Sequence, residues 1–99
     1  MDFNKVKKDI ELVIKECLPQ PHYKVFIFGS RANGKADSRS DIDIGIDAGE
    51  EIKDGTLNMI RERLDDLPIL QKFDVVDFSS VEEKFKKVAL EKIDVIYEQ

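Results

Sequence analysis

The sequence predicts a small α/β (α+β) protein: one mixed β-sheet with helices on one face, in the order α-β-β-α-β-α. Three observations carry this. An apolar run, Val25 to Phe28, stops abruptly at Gly29-Ser30. A second run, Asp41 to Asp47, alternates strictly between acid or glycine and isoleucine, the period-2 signature of a strand with one buried face. Helical spacing of apolar residues brackets these runs on both sides.

The elements follow in order. Phe3, Val6, Ile10, Val13, Ile14 and Cys17 recur at helical spacing, giving a helix over 3–17 that stops before Pro19. Gln20, Pro21 and His22 make a connector, with His22 read as a surface residue. Strands are expected at Lys24–Phe28 and Asp41–Asp47. Leu57, Ile60, Leu64 and Leu67 place a second helix over about residues 55–66, closed by Pro68. Phe73–Phe78 reads as a short strand. Ser80 with Glu83 fits a capping box opening a last helix that runs to about Tyr97, with Val81, Phe85, Val88, Ala89 and Ile96 on its inner stripe.

Ninety-nine residues make one domain, 1–99, large enough for a two-layer core and too small to add a separate substrate-recognition domain. The net charge is −5, and Lys84, Lys86 and Lys87 are interleaved with Glu82, Glu83 and Glu91, a solvated helix face rather than a track for a nucleic-acid backbone. Free polynucleotide is thereby disfavoured as a partner. A lone cysteine, Cys17, excludes a disulfide framework and is read as a buried inert thiol. The charged amino terminus argues against a signal peptide, and no apolar run reaches membrane-spanning length, so the expectation is a soluble, cytoplasmic protein.

The candidate chemistry lies in 24–47, KVFIFGSRANGKADSRSDIDIGID. On a strand Ile42, Ile44 and Ile46 point to one face and Asp41, Asp43, Gly45 and Asp47 to the other. Like-charged carboxylates at this spacing repel, and a divalent cation relieves them: Mg²⁺ and Mn²⁺ take oxygen ligands from one or two carboxylates plus substrate phosphates. At the other end of the loop, Gly29 permits a sharp turn and a close backbone approach, and free N–H groups from Ser30 onward suit a phosphate. Asp74 and Asp77, three residues apart on the last strand, face opposite ways, and one of them can join Asp41 and Asp43. Periodicity alone does not choose between them. Asp47 is read as solvated, and Lys35 and Arg39 as either phosphate contacts or solubilising residues.

Gly29-Ser30, ten residues, then Asp41-Ile42-Asp43 resembles the nucleotidyltransferase superfamily that includes DNA polymerase beta, and above all its minimal nucleotidyltransferase (MNT) members, often antitoxin partners of HEPN-domain proteins. Phe28-Gly29-Ser30-Arg31-Ala32, Gly34, Ser40-Asp41-Ile42-Asp43-Ile44 and Phe73-Asp74-Val75-Val76-Asp77 carry the likeness, which spans nearly the whole chain. The resemblance implies the nucleotidyltransferase fold, with Gly29 and Ser30 as the triphosphate-binding turn, helped by Arg31. It implies Asp41, Asp43 and Asp74 as catalytic ligands of two Mg²⁺ or Mn²⁺ ions, which selects Asp74 over Asp77. ATP is the implied substrate, and the implied reaction moves AMP onto a hydroxyl, typically a tyrosine of a HEPN-type toxin. Two other readings share these residues. One is an antitoxin that neutralises its partner by binding alone; the other is a transferase acting on a small molecule such as an aminoglycoside.

Overall fold

A computed structural model describes residues 2–32, 34 and 40–99, with Ser30 described through its backbone alone. Lys35 and Arg39 therefore lie outside the described residues. The chain begins with helix α1 (Phe3–Cys17), whose first turn is capped by the Asp2 carboxylate accepting from the N–H groups of Asn4 and Lys5. Strand β1 (Lys24–Phe28) runs into a single 3-10 turn, Gly29–Arg31. Then come β2 (Ile42–Asp47), α2 (Asp54–Asp65), β3 (Phe73–Asp77), α3 (Glu83–Ala89) and β4 (Asp94–Glu98).

The strands form one mixed sheet in the order β3-β2-β1-β4. β1 pairs antiparallel with both β2 and β4, whereas β2 and β3 run parallel, joined through α2. Period 2 then sorts the side chains. Val25, Ile27, Ile42, Ile44, Ile46 and Val75 face α1 and α2, where Val6, Ile10, Ile14, Ile60 and Leu64 complete the main core. Phe26, Phe28 and Phe78 form a second cluster on the opposite face, with ring centroids 4.8 Å apart for Phe26–Phe78 and 5.1 Å for Phe28–Phe78. Gly45 lies under this cluster. A Cβ there would stand 2.8 Å from Cε1 of Phe78 and closer still to the Phe26 ring. Among the described residues no helix is long and apolar enough to cross a membrane.

The α/β class, the mixed sheet and the first six elements match the sequence reading, but the carboxy-terminal part differs. The expected last helix ends at Ala89, and the residues assigned to its second half form β4, so the order is α-β-β-α-β-α-β. No glycine or proline marks the break at Leu90, while Val95, Ile96 and Tyr97 favour a strand once β1 offers an open edge. Lys7 ties the start of β4 to α1 by a 2.9 Å ion pair with Asp94. The Ser80–Glu83 capping box does not form. Glu82 is the N-cap residue, and Ser80 instead donates to Asp77. α1 and α2 share one face as expected, whereas α3 packs Ala89 beside the phenylalanine cluster on the other. Phe85 and Val88 are consequently exposed rather than on an inner stripe, and Ile96 packs on the main core from β4. Cys17 is half-buried and accepts a hydrogen bond from Arg63 at 3.7 Å. Asp47 accepts from the Gly49 N–H.

Asp77 is the buried acid of the chain among the described residues. Its carboxylate accepts from the Ile52 N–H at 2.9 Å, from the Ser79 N–H and hydroxyl, and from the Ser80 hydroxyl, stapling the β3 end to the segment before α2. Burial alone would raise its pKa, but the hydrogen bonds from Ser79, Ile52 and Ser80 outweigh it and hold the carboxyl below its ordinary value. A depressed native pKa means stabilisation that is complete above the unfolded value of about 3.9 and is lost as pH falls through the lower native value. Asp77→Ala, which leaves the buried Ile52 N–H without its acceptor, is expected to cost about 1–3 kcal/mol at neutral pH. Its urea midpoint should also depend less on pH below about 4 than the wild-type midpoint does.

Candidate active site

Strand register builds the site. Asp43 on β2 is the partner of Asp74 on parallel β3 and of Phe28 on antiparallel β1. The three side chains therefore lie in one row across the sheet, on the face opposite α1 and α2. Register thus makes the choice that periodicity left open: Asp74 shares the face of Asp43, and Asp77 is turned toward Ile52. Asp41 stands one residue before β2, exposed, where the Ile42 N–H donates to the Lys72 carbonyl at 2.8 Å.

Gly29 closes the row. Its φ is +73°, a left-handed conformation open to glycine, and a Cβ there would collide with Oδ2 of Asp43 and stand 3.3 Å from its Cγ. The turn's backbone is therefore pressed against the carboxylate, so the two halves of the motif, ten residues apart in sequence, touch in space. Arg31 helps hold that contact. Its guanidinium donates to the Ser40 carbonyl at 2.8 Å and sits 5.4 Å over the Phe3 ring, tying the turn both to the residue before Asp41 and to α1. These contacts brace the loop. The Ser30 side chain lies outside what is described; its backbone forms the middle of the 3-10 turn.

Charge is concentrated here. The Asp43 carboxyl is held above its ordinary pKa, first by burial and then by the neighbouring Asp74 and Asp41 carboxylates. Among the described residues no group of three or more His, Cys, Asp or Glu side chains is drawn together closely enough to hold a metal ion. The acids share an electric field without forming a closed cage. That arrangement still fits Mg²⁺ or Mn²⁺ in donor chemistry, because such ions take carboxylate oxygens and complete their shells with water and substrate phosphates. A cation bound there would also relieve the charge that raises the Asp43 pKa.

A further part of this region is not visible in sequence periodicity. A cleft of about 500 Å³ opens beside Gly29, with Phe28 on one side and Phe85, Val88 and Ala89 of α3 on the other. Helical spacing assigned Phe85 and Val88 to the core. The pointer to their position is that Phe28, three residues before Arg31, faces the same way as Asp43.

A glycine turn ending one strand, paired acids opening its antiparallel neighbour and a third acid in register on the parallel strand beyond define a nucleotidyltransferase. The chain belongs to the family described as Polymerase beta, nucleotidyltransferase, which matches residues 5–99. It is 27% identical over 96 residues to the probable protein adenylyltransferase MntA of Haemophilus influenzae, covering 95% of this chain and 83% of that protein. Among solved structures it resembles a toxin–antitoxin complex with AMP-PNP (TM-score 0.76, 18% identity, 94% of this chain and 73% of that one). It also resembles the complex of a tri-AMPylated Shewanella oneidensis HEPN toxin with its MNT antitoxin (TM-score 0.72, 16% identity, 96% and 71%). At these identities the structural likenesses establish the fold.

Gly29→Ala and Gly49→Ala test the close approach, since both positions have positive φ but only Gly29 has a neighbour in the way. Each should lose about 1–2 kcal/mol from backbone strain. Only Gly29→Ala should also displace the Asp43 side chain, a shift that a crystal structure of each variant would show.

Proposed function

We propose that this protein transfers AMP from ATP to a tyrosine hydroxyl of a HEPN-type partner and acts as an antitoxin in the cytoplasm. The observation that carries the reading is the register pair Asp43–Asp74 set against the Gly29 turn. Its likeness to MntA, a probable protein adenylyltransferase, supports the acceptor class. The fold's recurrence in toxin–antitoxin complexes, one with AMP-PNP and one with an AMPylated HEPN toxin, supports ATP and the partner.

In this reading the backbone N–H groups of the Gly29–Arg31 turn take the β- and γ-phosphates, with Ser30 at its centre, and Arg31 keeps the turn against β2. The acceptor oxygen attacks the α-phosphorus in line, the bond to the β-phosphate bridging oxygen breaks, and pyrophosphate leaves. Asp74, exposed at the outer end of the row, is placed to take the hydroxyl proton. Asp41, Asp43 and Asp74 would hold two Mg²⁺ or Mn²⁺ ions, which supply charge neutralisation for the attacking and leaving oxygens. Position and electrostatics account for most of such catalysis, and a chain of this size carries both.

Asp43→Asn tests the proposal because it separates fold from chemistry. It removes a carboxylate that burial and two like charges disfavour, so the melting temperature should hold or rise. AMP transfer from α-labelled ATP to the partner should fall on the order of 10³-fold. Retained transfer would remove Asp43 from the chemistry, and no transfer by the wild type would sink the enzyme reading. Lost transfer with undiminished neutralisation of the partner would favour inhibition by binding alone.

A further inference from the structure

In an in-line displacement the attacking and leaving oxygens stand on opposite sides of the phosphorus. The row across the sheet runs Phe28, Asp43, Asp74, with the Gly29 turn at the Phe28 end. With the β- and γ-phosphates on that turn, the leaving oxygen points toward Gly29 and the attacking hydroxyl enters from the Asp74 side. β3, which carries Asp74, is an edge strand of the sheet. A hydroxyl that belongs to a protein arrives with its own surroundings, and these rest on β3 and on the segment that leads into it.

That segment has one side buried and one side open. Leu67, Ile69 and Phe73 pack against the main core. The positions between them turn the other way, so Pro68, Leu70, Lys72 and Asp74 are all exposed. Both ends are braced. The Leu67 N–H donates to the Leu64 carbonyl at 3.1 Å, and the Lys72 carbonyl accepts from the Ile42 N–H at 2.8 Å, beside Asp41. Leu70 is 98% exposed, more than any other large apolar side chain among the described residues. A single exposed leucine is ordinary on a protein surface. What sets Leu70 apart is its place: on a fixed segment, at the side of the site from which the acceptor enters. Four residues of chain span at most about 14 Å, so Leu70 and Asp74 reach one partner surface together.

We propose that the 68–74 segment is the docking surface for the acceptor protein, with Leu70 as its specificity-determining contact. The partner it fits is a folded protein with an apolar recess beside the acceptor hydroxyl, which receives Leu70 while the hydroxyl meets Asp74. The proposal rests on the nucleotidyltransferase reading above and adds where the acceptor protein is gripped. A small-molecule acceptor has no surface that reaches from Asp74 to Leu70, so the contact favours a protein over a free hydroxyl compound.

Transfer from α-labelled ATP to the acceptor protein tests this, with each substrate varied in turn. Leu70→Ser should raise the KM for the acceptor protein about tenfold or more, the effect of losing one buried leucine side chain from an interface. Its kcat and its KM for ATP should stay within about twofold of wild type, because no contact to the nucleotide is lost. Its melting temperature should not change, since nothing packs on Leu70. Leu70→Met, of similar size and polarity, should restore the acceptor KM. Val88→Ser, at an exposed apolar position beside the opposite end of the row, should leave it unaltered. An unchanged acceptor KM in a Leu70→Ser protein that still transfers AMP overturns the docking surface and leaves the reaction standing. So does a KM for ATP that rises in parallel, which would assign Leu70 to the nucleotide, or a larger rise in acceptor KM from Val88→Ser. No transfer by the wild type overturns both the docking surface and the function beneath it.

Discussion

Holding three like charges at one corner of a sheet is the constraint on which the molecule depends. Unit charges about 4 Å apart repel by about 1 kcal/mol in water and about 4 kcal/mol near a protein surface. Asp43 sits half-buried in the field of Asp74 and Asp41, with its pKa raised accordingly. What opposes the repulsion is on the other side of the same strand. Ile42, Ile44 and Ile46 are fully buried against α1 and α2, and each contributes about 1.5–3 kcal/mol. A strand with one wholly apolar face cannot slip by a residue without exposing all three, so the burial that stabilises β2 also fixes where its acids point.

The neighbours of β2 turn that fixed strand into a site. Its parallel partner delivers Asp74, its antiparallel partner delivers Phe28 and the Gly29 turn, and both pairings hold the register of Asp43. Small devices keep the edges in place. Arg61 donates to the Val75 carbonyl on edge strand β3. Asp77, on the same strand as Asp74 but facing inward, collects hydrogen bonds from Ile52, Ser79 and Ser80. One acid of β3 thus anchors the strand and the other lies in register with Asp43. Gly45 leaves room for the Phe26 and Phe78 rings, which support the base of the cleft beneath α3.

Much of this was legible in sequence. Strict alternation in β2, the glycine stop after Phe28 and the spacing of Val6, Ile10 and Ile14 each report a local rule that tertiary structure did not override. The relation between Asp43 and Asp74 was legible only through family resemblance, because register between distant strands leaves no local trace in periodicity. The carboxy-terminal end departs from its local pattern for a related reason. Val88 to Tyr97 contains apolar residues compatible with either period and lacks a helix-stop residue, so the change at Leu90 follows from the free edge of β1 rather than from local preference. Helical spacing places Phe85 on an inner stripe, since it reports a face without saying whether anything covers it. The contacts of Arg31 with Ser40 and Phe3 depend on a loop closure that no linear pattern encodes.

In the proposed reaction Asp43 and Asp74 act together on one cation beside the Gly29 turn. Anomalous diffraction from crystals grown with Mn²⁺ and a non-hydrolysable ATP analogue tests it most directly. An anomalous peak is expected within about 2.0–2.6 Å of carboxylate oxygens from both Asp43 and Asp74, with the β- and γ-phosphates on the Gly29–Arg31 backbone. A peak that leaves out either acid, or phosphates seated away from that turn, would contradict it.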